Sequence, residues 1–279
     1  MQLAESVHVA GWRASLALDF ARRGPRTVLT GRRHDGPLVV QKALYPEGEA
    51  VCHAIVVHPP AGVAGGDALA LDVALDAGAH ALLTTPGAGK WYRSAGPRAS
   101  QRAAFDVAPG AVLEWLPQEN IVFDGARATI EADVRLRGDA AFIGWEIACL
   151  GRTGSGERFG RGELGLATRI SRDGRLAFLE RGRIEGGGAL LDSPAGLAGQ
   201  PVTGTLVATV SPEADLLARL RAEAPAAGAG AVTRLPGVLV ARYLGPSGEA
   251  ARAYFAALWG IIRPVVAGRA AATPRIWRT

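Results

Sequence analysis

The stretch "TIEADVRLR", residues 129–137, decides the class of the fold. Its apolar residues Ile130, Ala132, Val134 and Leu136 occupy every second position, and charged residues stand between them. Strict alternation of this kind is the pattern of a half-buried β-strand, because successive side chains of a strand point to opposite faces. The stretch therefore predicts a strand with one face in a core and the other in solvent.

The same pattern recurs along the chain. "ALALDVALD" alternates in the same way, and a longer segment reads as a hairpin whose turn is Asp173-Gly174. These segments are "ALALDVALD" (68–76), "ELGLATRISRDGRLAFLERGRI" (163–184), "VTGTLVATV" (202–210) and "LPGVLVARYLG" (235–245). About fifteen strands are predicted, and they do not alternate with helices. We therefore predict a mainly β fold, β-helical or sandwich-like, and not a Rossmann or P-loop architecture.

Helical signals are confined to the C-terminal third. Ser211 is predicted to cap a first helix, with Pro212 at its first position. A second helix is predicted to begin at Ser247 and to stop at Pro264. Its inward stripe is Ala251, Phe255, Leu258 and Ile262. No stretch has the composition of a linker, so residues 1–279 are predicted to form one large β-rich domain with about two helices.

Composition and charge narrow the classes of partner. The net charge of +5 permits nucleic-acid binding, but no nucleic-acid-binding motif accompanies the basic segments, so we expect no nucleic-acid partner. Residues 1–13 lack the features of a secretory signal. The apolar stretch 257–272 is interrupted by Arg263 and Pro264, which argues against a membrane helix. A cytoplasmic protein is the expectation.

The loop "LLTTPGAGKWYRSAG", residues 82–96, invites a phosphate-binding interpretation. A Walker A motif would place glycine at position 84 and a hydroxyl residue at position 91, where this chain has Thr84 and Trp91. No helix pattern follows the loop. The segment is therefore not a nucleotide site.

Catalytic and metal motifs are equally sparse. No G-x-S-x-G elbow is present, and two cysteines with no paired spacing provide no metal frame. Carboxylates are numerous, but a sequence alone cannot pair them for acid–base chemistry. A carboxylate-based hydrolase remains the alternative function.

Several long blocks together resemble the urease accessory protein UreD family, called UreH in some organisms. The resemblance runs nearly end to end and departs at Ala61 and Gly89, where the family usually has glycine and a bulkier residue. The blocks are "GPLVVQKALYPEG" (36–48), "CHAIVVHPPAGVAGGDALAL" (52–71), the loop 82–96, "GAVLEWLPQENIVFDGA" (110–126), "EIACLGRTGSGERFGRG" (146–162), "ARYLG" (241–245) and "PRIWRT" (274–279).

This resemblance implies a β-rich protein with no catalytic activity. It implies a scaffold that binds UreF, reaches the GTPase UreG through UreF, and docks on the urease apoprotein while nickel is inserted. A dimer of UreD–UreF heterodimers is among the assemblies that it leaves open. No tightly bound cofactor is expected, only nickel in transit.

Acidic residues within the family-like blocks are the expected lining of a nickel passage. Oxygen donors hold nickel less tightly than a full set of nitrogen and sulfur ligands, which suits a conduit. For each acid the alternative is a turn cap or a salt bridge to a nearby arginine. The candidates are Asp67 first, then Glu114, Glu119, Asp124, Glu146 and Glu157.

The C-terminal helices and neighbouring strands are the expected UreF-binding surface. Tyr254, Phe255 and Trp259 supply the aromatic bulk that interface anchors use. Packing of the same side chains on the sheet is the alternative. The block 114–126 is expected to be structural.

Overall fold

The computed structural model describes residues 11–278 of the 279-residue chain. The prediction about a secretory signal therefore falls mainly on residues outside the described part. The strands of residues 11–278 are β1 (Arg13–Arg23), β2 (Arg26–Asp35), β3 (Val39–Leu44), β4 (Cys52–Val57), β5 (Ala68–Leu75), β6 (His80–Thr84), β7 (Gly89–Trp91), β8 (Ala99–Val107), β9 (Val112–Trp115), β10 (Asn120–Val122), β11 (Arg127–Leu136), β12 (Ala141–Leu150), β13 (Glu163–Arg172), β14 (Arg175–Glu185), β15 (Val202–Ala208), β16 (Ala229–Leu235) and β17 (Val238–Gly245).

Helices are fewer and lie late in the chain. The α-helices are α1 (Ala189–Asp192), α2 (Ala214–Ala222) and α3 (Gly248–Ala267), and two 3₁₀ turns cover Thr153–Ser155 and Arg275–Arg278. The predicted β-rich fold with its helices in the C-terminal third is confirmed.

The strands form two sheets. The first sheet has the order β14-β13-β11-β8-β5-β1-β2. The second sheet has the order β16-β17-β15-β12-β9-β6-β4-β3, and β10 joins it beside β12 and β7. Between β4 and β13 the chain passes back and forth between the sheets, so neighbouring strands such as β5 and β8, or β6 and β9, run parallel. This winding combines the solenoid and sandwich features of the predicted class.

Two kinds of connection mark the two ends of the solenoid. At one end the chain returns from the first sheet to the second through short turns, residues 76–79, 108–111 and 137–140. At the other end it crosses through longer loops, residues 58–67 and 151–162 among them. Three of the predicted acidic site residues lie in or beside these longer loops.

Alternation along each strand sorts the side chains into two cores. The first core lies between the sheets and includes Leu71, Phe105 and Val134. The second core lies between the outer face of the second sheet and helices α2 and α3. "TIEADVRLR" behaves as predicted, with Ile130 and Val134 buried. The assignment of residues 1–279 to one domain stays a prediction.

The two long helices differ from their predictions at one end each. Ser211 does not cap α2, whose N-cap is Glu213 and which has no side-chain cap. Helix α3 begins as predicted, since the Ser247 side chain accepts a hydrogen bond from the Ala250 N–H. Pro264 does not stop it, because a proline in the last turn removes only one intrahelical hydrogen bond. The helix ends at Gly268, which is in the left-handed conformation at φ 64°.

The predicted hairpin is confirmed. β13 and β14 pair antiparallel around Asp173 and Gly174, both with positive φ, 50° and 77°. Two successive residues of this conformation match the twist of the flanking strands. Ala61, where the family usually has glycine, also adopts a positive φ of 61°.

Helix α3 has the length and hydropathy that a membrane-crossing helix needs, the one such helix among residues 11–278. Here it packs on the second sheet through Phe255 and Leu258, both fully buried.

Candidate functional site

Asp67 closes the long loop in front of β5. Its two carboxylate oxygens accept hydrogen bonds from the backbone N–H groups of Trp12 and Ala64, each at 2.8 Å. Both oxygens are therefore already engaged by the backbone of this chain.

Asp124 and Glu157 hold two loops together at the same end of the solenoid. Asp124 accepts from the backbone N–H groups of Gly160 and Arg161 and pairs with the Arg161 guanidinium at 2.6 Å. Glu157 accepts from the Asp124 N–H at 3.0 Å and pairs with Arg152 at 2.6 Å. The arginine hydrogen bonds lower the pKa of both carboxyls. Each arrangement is a turn clamp with a salt bridge.

Glu114 and Glu119 face the helix side of the second sheet. Glu119 pairs with Arg252 of α3 at 2.5 Å. Glu114 is fully buried and accepts hydrogen bonds from the Trp259 indole at 2.6 Å and from the Arg263 Nε at 3.0 Å. Both carboxylates thus attach α3 to the sheet.

Arg263 is the centre of a buried ionic network. Its guanidinium also donates to Glu47 at 2.7 and 2.8 Å. The His53 Nε2 lies 2.6 Å from the Glu47 Oε1, and the His80 Nε2 lies 2.7 Å from the Glu114 Oε1. Burial alone would raise the pKa of Glu47, but hydrogen bonds from His53 and Arg263 lower it to about 2.

The same balance acts on Glu114. Burial opposes its ionisation, but the His80 hydrogen bond and the Arg263 charge hold its pKa below the usual value. Both carboxylates are therefore charged beside the guanidinium, and the network fixes α3 on strands β6 and β9.

Glu146 differs from the other five acids. It lies on β12 in phase with Phe142 and Ala148, whose side chains belong to the core between the sheets. Its carboxylate accepts one side-chain hydrogen bond, from the Asn120 amide at 2.7 Å, and no salt bridge reaches it within residues 11–278. Burial raises its pKa to about 7, although the hydrogen bonds from Asn120 and the Ile147 backbone oppose the rise.

Two cavities lie between the sheets beside Glu146. The larger has a volume of about 410 Å³ and is lined by Glu146 together with Thr168, Thr203 and Thr205. Glu180 of β14 and Arg242 of β17 line the same cavity and form an ion pair across the two sheets. Because the Arg242 side chain is about half exposed, this pair stands at the mouth of the cavity.

The smaller cavity has a volume of about 200 Å³ and lies under the loop 85–90. Gln101 and Trp115 line both cavities, and Asn120 lines the smaller while donating to Glu146 of the larger. His58 also lines the smaller cavity, and burial lowers its pKa. The two cavities are therefore neighbours, and the hydrogen bond from Asn120 to Glu146 joins a residue of the smaller cavity to a residue of the larger.

No three His, Cys, Asp or Glu side chains of residues 11–278 are grouped so that they could hold a metal ion. A cation in the larger cavity would thus meet isolated carboxylate and hydroxyl oxygens. Such donors suit brief, weak binding of a hard or borderline cation.

The predicted partner residues are all interior. Tyr254, Phe255 and Trp259 are at most 3% exposed and belong to the second core. Phe255 contacts the Trp145 ring, with centroids 6.2 Å apart. Their proposed contact with a partner stays a prediction. In this structure these side chains pack between α3 and the second sheet.

Sequence reasoning missed Asn120, Glu180, Arg242, Glu47 and Arg263. Glu180 had a usable signal, because the Asp173-Gly174 turn fixes the hairpin register and sets Glu180 opposite Thr168. Arg263 had another, a charge beside the apolar stripe of α3. Nothing in the sequence pairs Arg263 with Glu47, which lies 216 positions away.

Comparison with known proteins gives one consistent result. The family model described as UreD urease accessory protein matches residues 13–278. A protein of Azoarcus sp. strain BH72 is 62% identical over 277 residues, covering 98% of this chain and 97% of the relative. One of Dechloromonas aromatica is 55% identical over 285 aligned positions, covering 100% and 99%. One of Pseudomonas aeruginosa is 54% identical over 275 residues, covering 98% and 97%. All three relatives are named urease accessory protein UreD.

Proposed function

The chain belongs to the UreD family of urease accessory proteins, whose role is urease maturation, and from this premise we propose that it is a scaffold for nickel insertion. It binds UreF and the urease apoprotein, UreG joins the complex through UreF, and nickel passes through the interior of the β-framework. It works in the cytoplasm and forms or breaks no covalent bond itself. The name of its relatives describes a maturation factor, not a catalyst.

The observation that carries the proposal is the Glu146 carboxyl beside the inter-sheet cavity. A pKa of about 7 means that a proton and a metal cation compete for this group at neutral pH. A micromolar metal site already corresponds to about 8 kcal/mol of binding free energy, which would have to be overcome at release. One carboxylate that must lose a proton to bind gives a shallower site, as a passage requires.

Glu180, another acid of the cavity, is held differently. Glu180 pairs with Arg242, so its charge is neutralised and a positive group stands beside it. Among the six acids predicted from the sequence, four pair with arginines and Asp67 has both oxygens bound by backbone N–H groups. Within residues 11–278, Glu146 accepts hydrogen bonds only from neutral groups, the Asn120 amide and the Ile147 backbone. Glu146 is therefore the first residue to test, in place of Asp67.

The exposed face of α3 supports a UreF-binding surface. This face carries small or apolar side chains, including Ala253, Ala257, Pro264 and Val265, and Val265 is 57% exposed. An apolar helix face that is open to solvent is typical of a contact surface for another protein. Tyr254, Phe255 and Trp259 contribute by holding this face in place.

Nickel transfer is tested by producing the chain with UreF, UreG and urease in a host without its own urease system. Glu146→Gln keeps the size and one oxygen that can accept from the Asn120 amide, but removes the charge. We expect urease to contain several-fold less nickel while the accessory complex still assembles. Glu213→Gln, at an exposed carboxylate in the N-cap position of α2, is the matched control. Full nickel loading with Glu146→Gln would contradict the passage.

Partner binding is tested separately on α3. Ala257→Arg places a charge on the exposed helix face, and we expect UreF to stop co-purifying while the thermal unfolding of the chain is unchanged. Ala177→Arg makes the same change at an exposed position of β14 and should leave UreF bound. If UreF co-purifies equally with both variants, the contact surface lies elsewhere.

A further inference from the structure

We propose that Trp91 and Asn120 form a fixed relay that presents an amide N–H, and never the amide oxygen, to Glu146. The inference rests on the proposed nickel passage, because it concerns the residues that control how Glu146, the acidic group of that passage, binds a proton or a cation. Neither Trp91 nor Asn120 is among the site residues that were predicted from the sequence.

Three adjacent strands build the relay. Asn120 of β10 stands in register with Gly89 of β7 on one side and with Ala148 of β12 on the other. The Trp91 indole Nε1–H donates to the Asn120 Oδ1 at 2.8 Å, and the Asn120 Nδ2 donates to the Glu146 Oε1 at 2.7 Å. Trp91 is 1% exposed and Asn120 is 6% exposed, so water has little access to either group.

The chemistry of the indole makes this arrangement directional. An indole N–H can only donate, whereas an asparagine amide carries an acceptor at one end and donors at the other. Trp91 therefore fixes which end of Asn120 faces Glu146. Without that anchor the amide could turn by 180°, since its two ends have nearly the same shape.

The direction of the amide decides how a cation would be held. With the N–H end forward, Asn120 stabilises the charged carboxylate and offers no oxygen to a metal. With the oxygen end forward, Asn120 and Glu146 would together present two hard oxygen donors to one cation, the kind of ligands that divalent cations prefer. The relay thus keeps the group a single-donor contact that releases its cation.

Gly89 leaves the room that the relay needs. A Cβ atom built at position 89 would lie 2.5 Å from the Asn120 Oδ1, closer than side-chain carbons approach an oxygen. A side chain at this position would therefore require the Asn120 amide or the backbone to shift. In this chain the glycine of the loop 82–96 that looked like part of a phosphate site gives room to the amide beside it.

The experiment uses the full chain in its complex with UreF. Carbon-13 NMR of labelled glutamate side chains gives the titration of Glu146, assigned by its loss in Glu146→Gln, and calorimetry gives the nickel affinity at pH 8. Trp91→Phe removes the anchoring N–H, and Asn120→Leu removes the amide. We expect the Glu146 titration to move upward by about one pH unit in both variants, because the donor to the charged carboxylate is removed in Asn120→Leu and is no longer held in place in Trp91→Phe.

Nickel affinity separates the two variants. It should rise about tenfold in Trp91→Phe, where the amide oxygen is free to join Glu146, and should not rise in Asn120→Leu; a tenfold change corresponds to about 1.4 kcal/mol. Trp277→Phe is the matched control, since it removes an indole N–H that donates to the Thr84 hydroxyl at 2.7 Å and Trp277 lines neither cavity. It should change neither quantity.

An unchanged Glu146 titration in Trp91→Phe and Asn120→Leu would overturn the relay. If Trp91→Phe does not fold, Gly89→Ala displaces Asn120 by a different route and is read by the same titration. These measurements need no urease, so failure of the relay is distinguishable from failure of nickel delivery, which is measured on urease itself.

Discussion

Glu146 carries a cost that the fold tolerates. Its side chain is partly buried, its carboxyl accepts one side-chain hydrogen bond, and its pKa of about 7 stands above the ordinary value of 4.5. The folded protein therefore holds a proton over a pH range in which the unfolded chain has released it. The contribution of Glu146 to the free energy of unfolding is most favourable below pH 4.5, declines as the pH rises to 7, and is constant above that.

Glu146→Gln should remove this decline. A neutral side chain of the same size has no charge to bury, so the variant should be more stable than the native protein at pH 8, by at most about 3 kcal/mol, and nearly equal to it at pH 4.5. Water in the adjacent cavity would reduce the gain. Urea unfolding at the two pH values measures the difference, with Glu213→Gln as control. Equal stability at pH 8 would mean that Glu146 is well solvated.

The left-handed conformation of Gly174 in the β13–β14 turn should also contribute to stability. Gly174 has φ 77°, so Gly174→Ala forces a Cβ into a conformation that L-residues rarely adopt and should lower the free energy of unfolding by about 1 kcal/mol. Gly182 of the same hairpin has no positive φ, and a Cβ there would meet nothing within 4 Å. Gly182→Ala should be neutral or slightly stabilising. Equal losses in both variants would remove the turn as the cause.

Helix α3 is an element in which local signals and tertiary contacts act together. Its start is set by the Ser247 cap, while its last turn continues past Pro264 to Gly268. Arg263, next to that proline, is fully buried and bonded to Glu47 and Glu114. These bonds hold the last turns against the sheet, and the helix therefore tolerates a residue that usually ends one.

The Ser247 cap should contribute measurably to the stability of α3. Ser247→Ala removes the acceptor for the Ala250 N–H at 3.2 Å and should cost about 1 kcal/mol. Ser211 is exposed and caps nothing, so Ser211→Ala should leave the stability of the protein unchanged. Chemical denaturation of both variants measures the contrast. An equal loss with Ser211→Ala would restore it as the start of α2.

At the scale of the molecule, the buried network joins distant parts of the chain. Glu47 precedes β4, Glu114 lies on β9 and Arg263 lies near the end of α3. Two carboxylates and one guanidinium share a largely buried site, in which Glu114 and Arg263 are fully buried and the Glu47 side chain is 10% exposed. The histidines His53 and His80 lie at its two ends. Removing the central cation would leave two buried anions without a partner.

Arg263→Met should therefore lower the free energy of unfolding by about 3–5 kcal/mol at pH 7. In the native protein the depressed pKa of Glu47, about 2, contributes stability above pH 4.5 that is lost as the pH falls toward 2. In the variant the carboxyls are easier to bury when protonated, so stability should fall as the pH rises from 4 to 7.

The urea midpoints of the native protein and of Arg263→Met at pH 4 and pH 7 measure this reversal in the pH dependence of stability. The triple variant Arg263→Met, Glu47→Gln, Glu114→Gln is the control, because it removes the two anions together with the cation. It should recover most of the loss. A single variant as stable as the native protein at pH 7 would show that the guanidinium does not compensate the two carboxylates.

Much of the fold was readable from short segments. Alternation predicted the strands, the Asp-Gly pair predicted the hairpin, and Ser247 predicted the start of α3. The errors came where a tertiary contact overrides a local rule. Ser211 and Pro212 have the right residue types for a helix start, but α2 begins only at Ala214. The helix is held by Leu217 and Leu220, which are buried in the second core.

The site was less predictable for the same reason. Six acids looked alike in sequence because each stands in a family-like block. Only the packing of the two sheets separates Glu146, which faces a cavity, from Asp67 and Asp124, which bind backbone N–H groups.

The sequence by itself determined the class of fold, the inward face of alternating strands such as residues 129–137, and the family, because these depend on residues near one another or on long ordered blocks. Only the tertiary structure decided which groups oppose one another: Arg263 with Glu47 and Glu114, Trp91 with Asn120, and Asn120 with Glu146. A strand's period of two tells which way a side chain points but not what it meets. The partner comes from another strand or helix, placed by the burial of both cores.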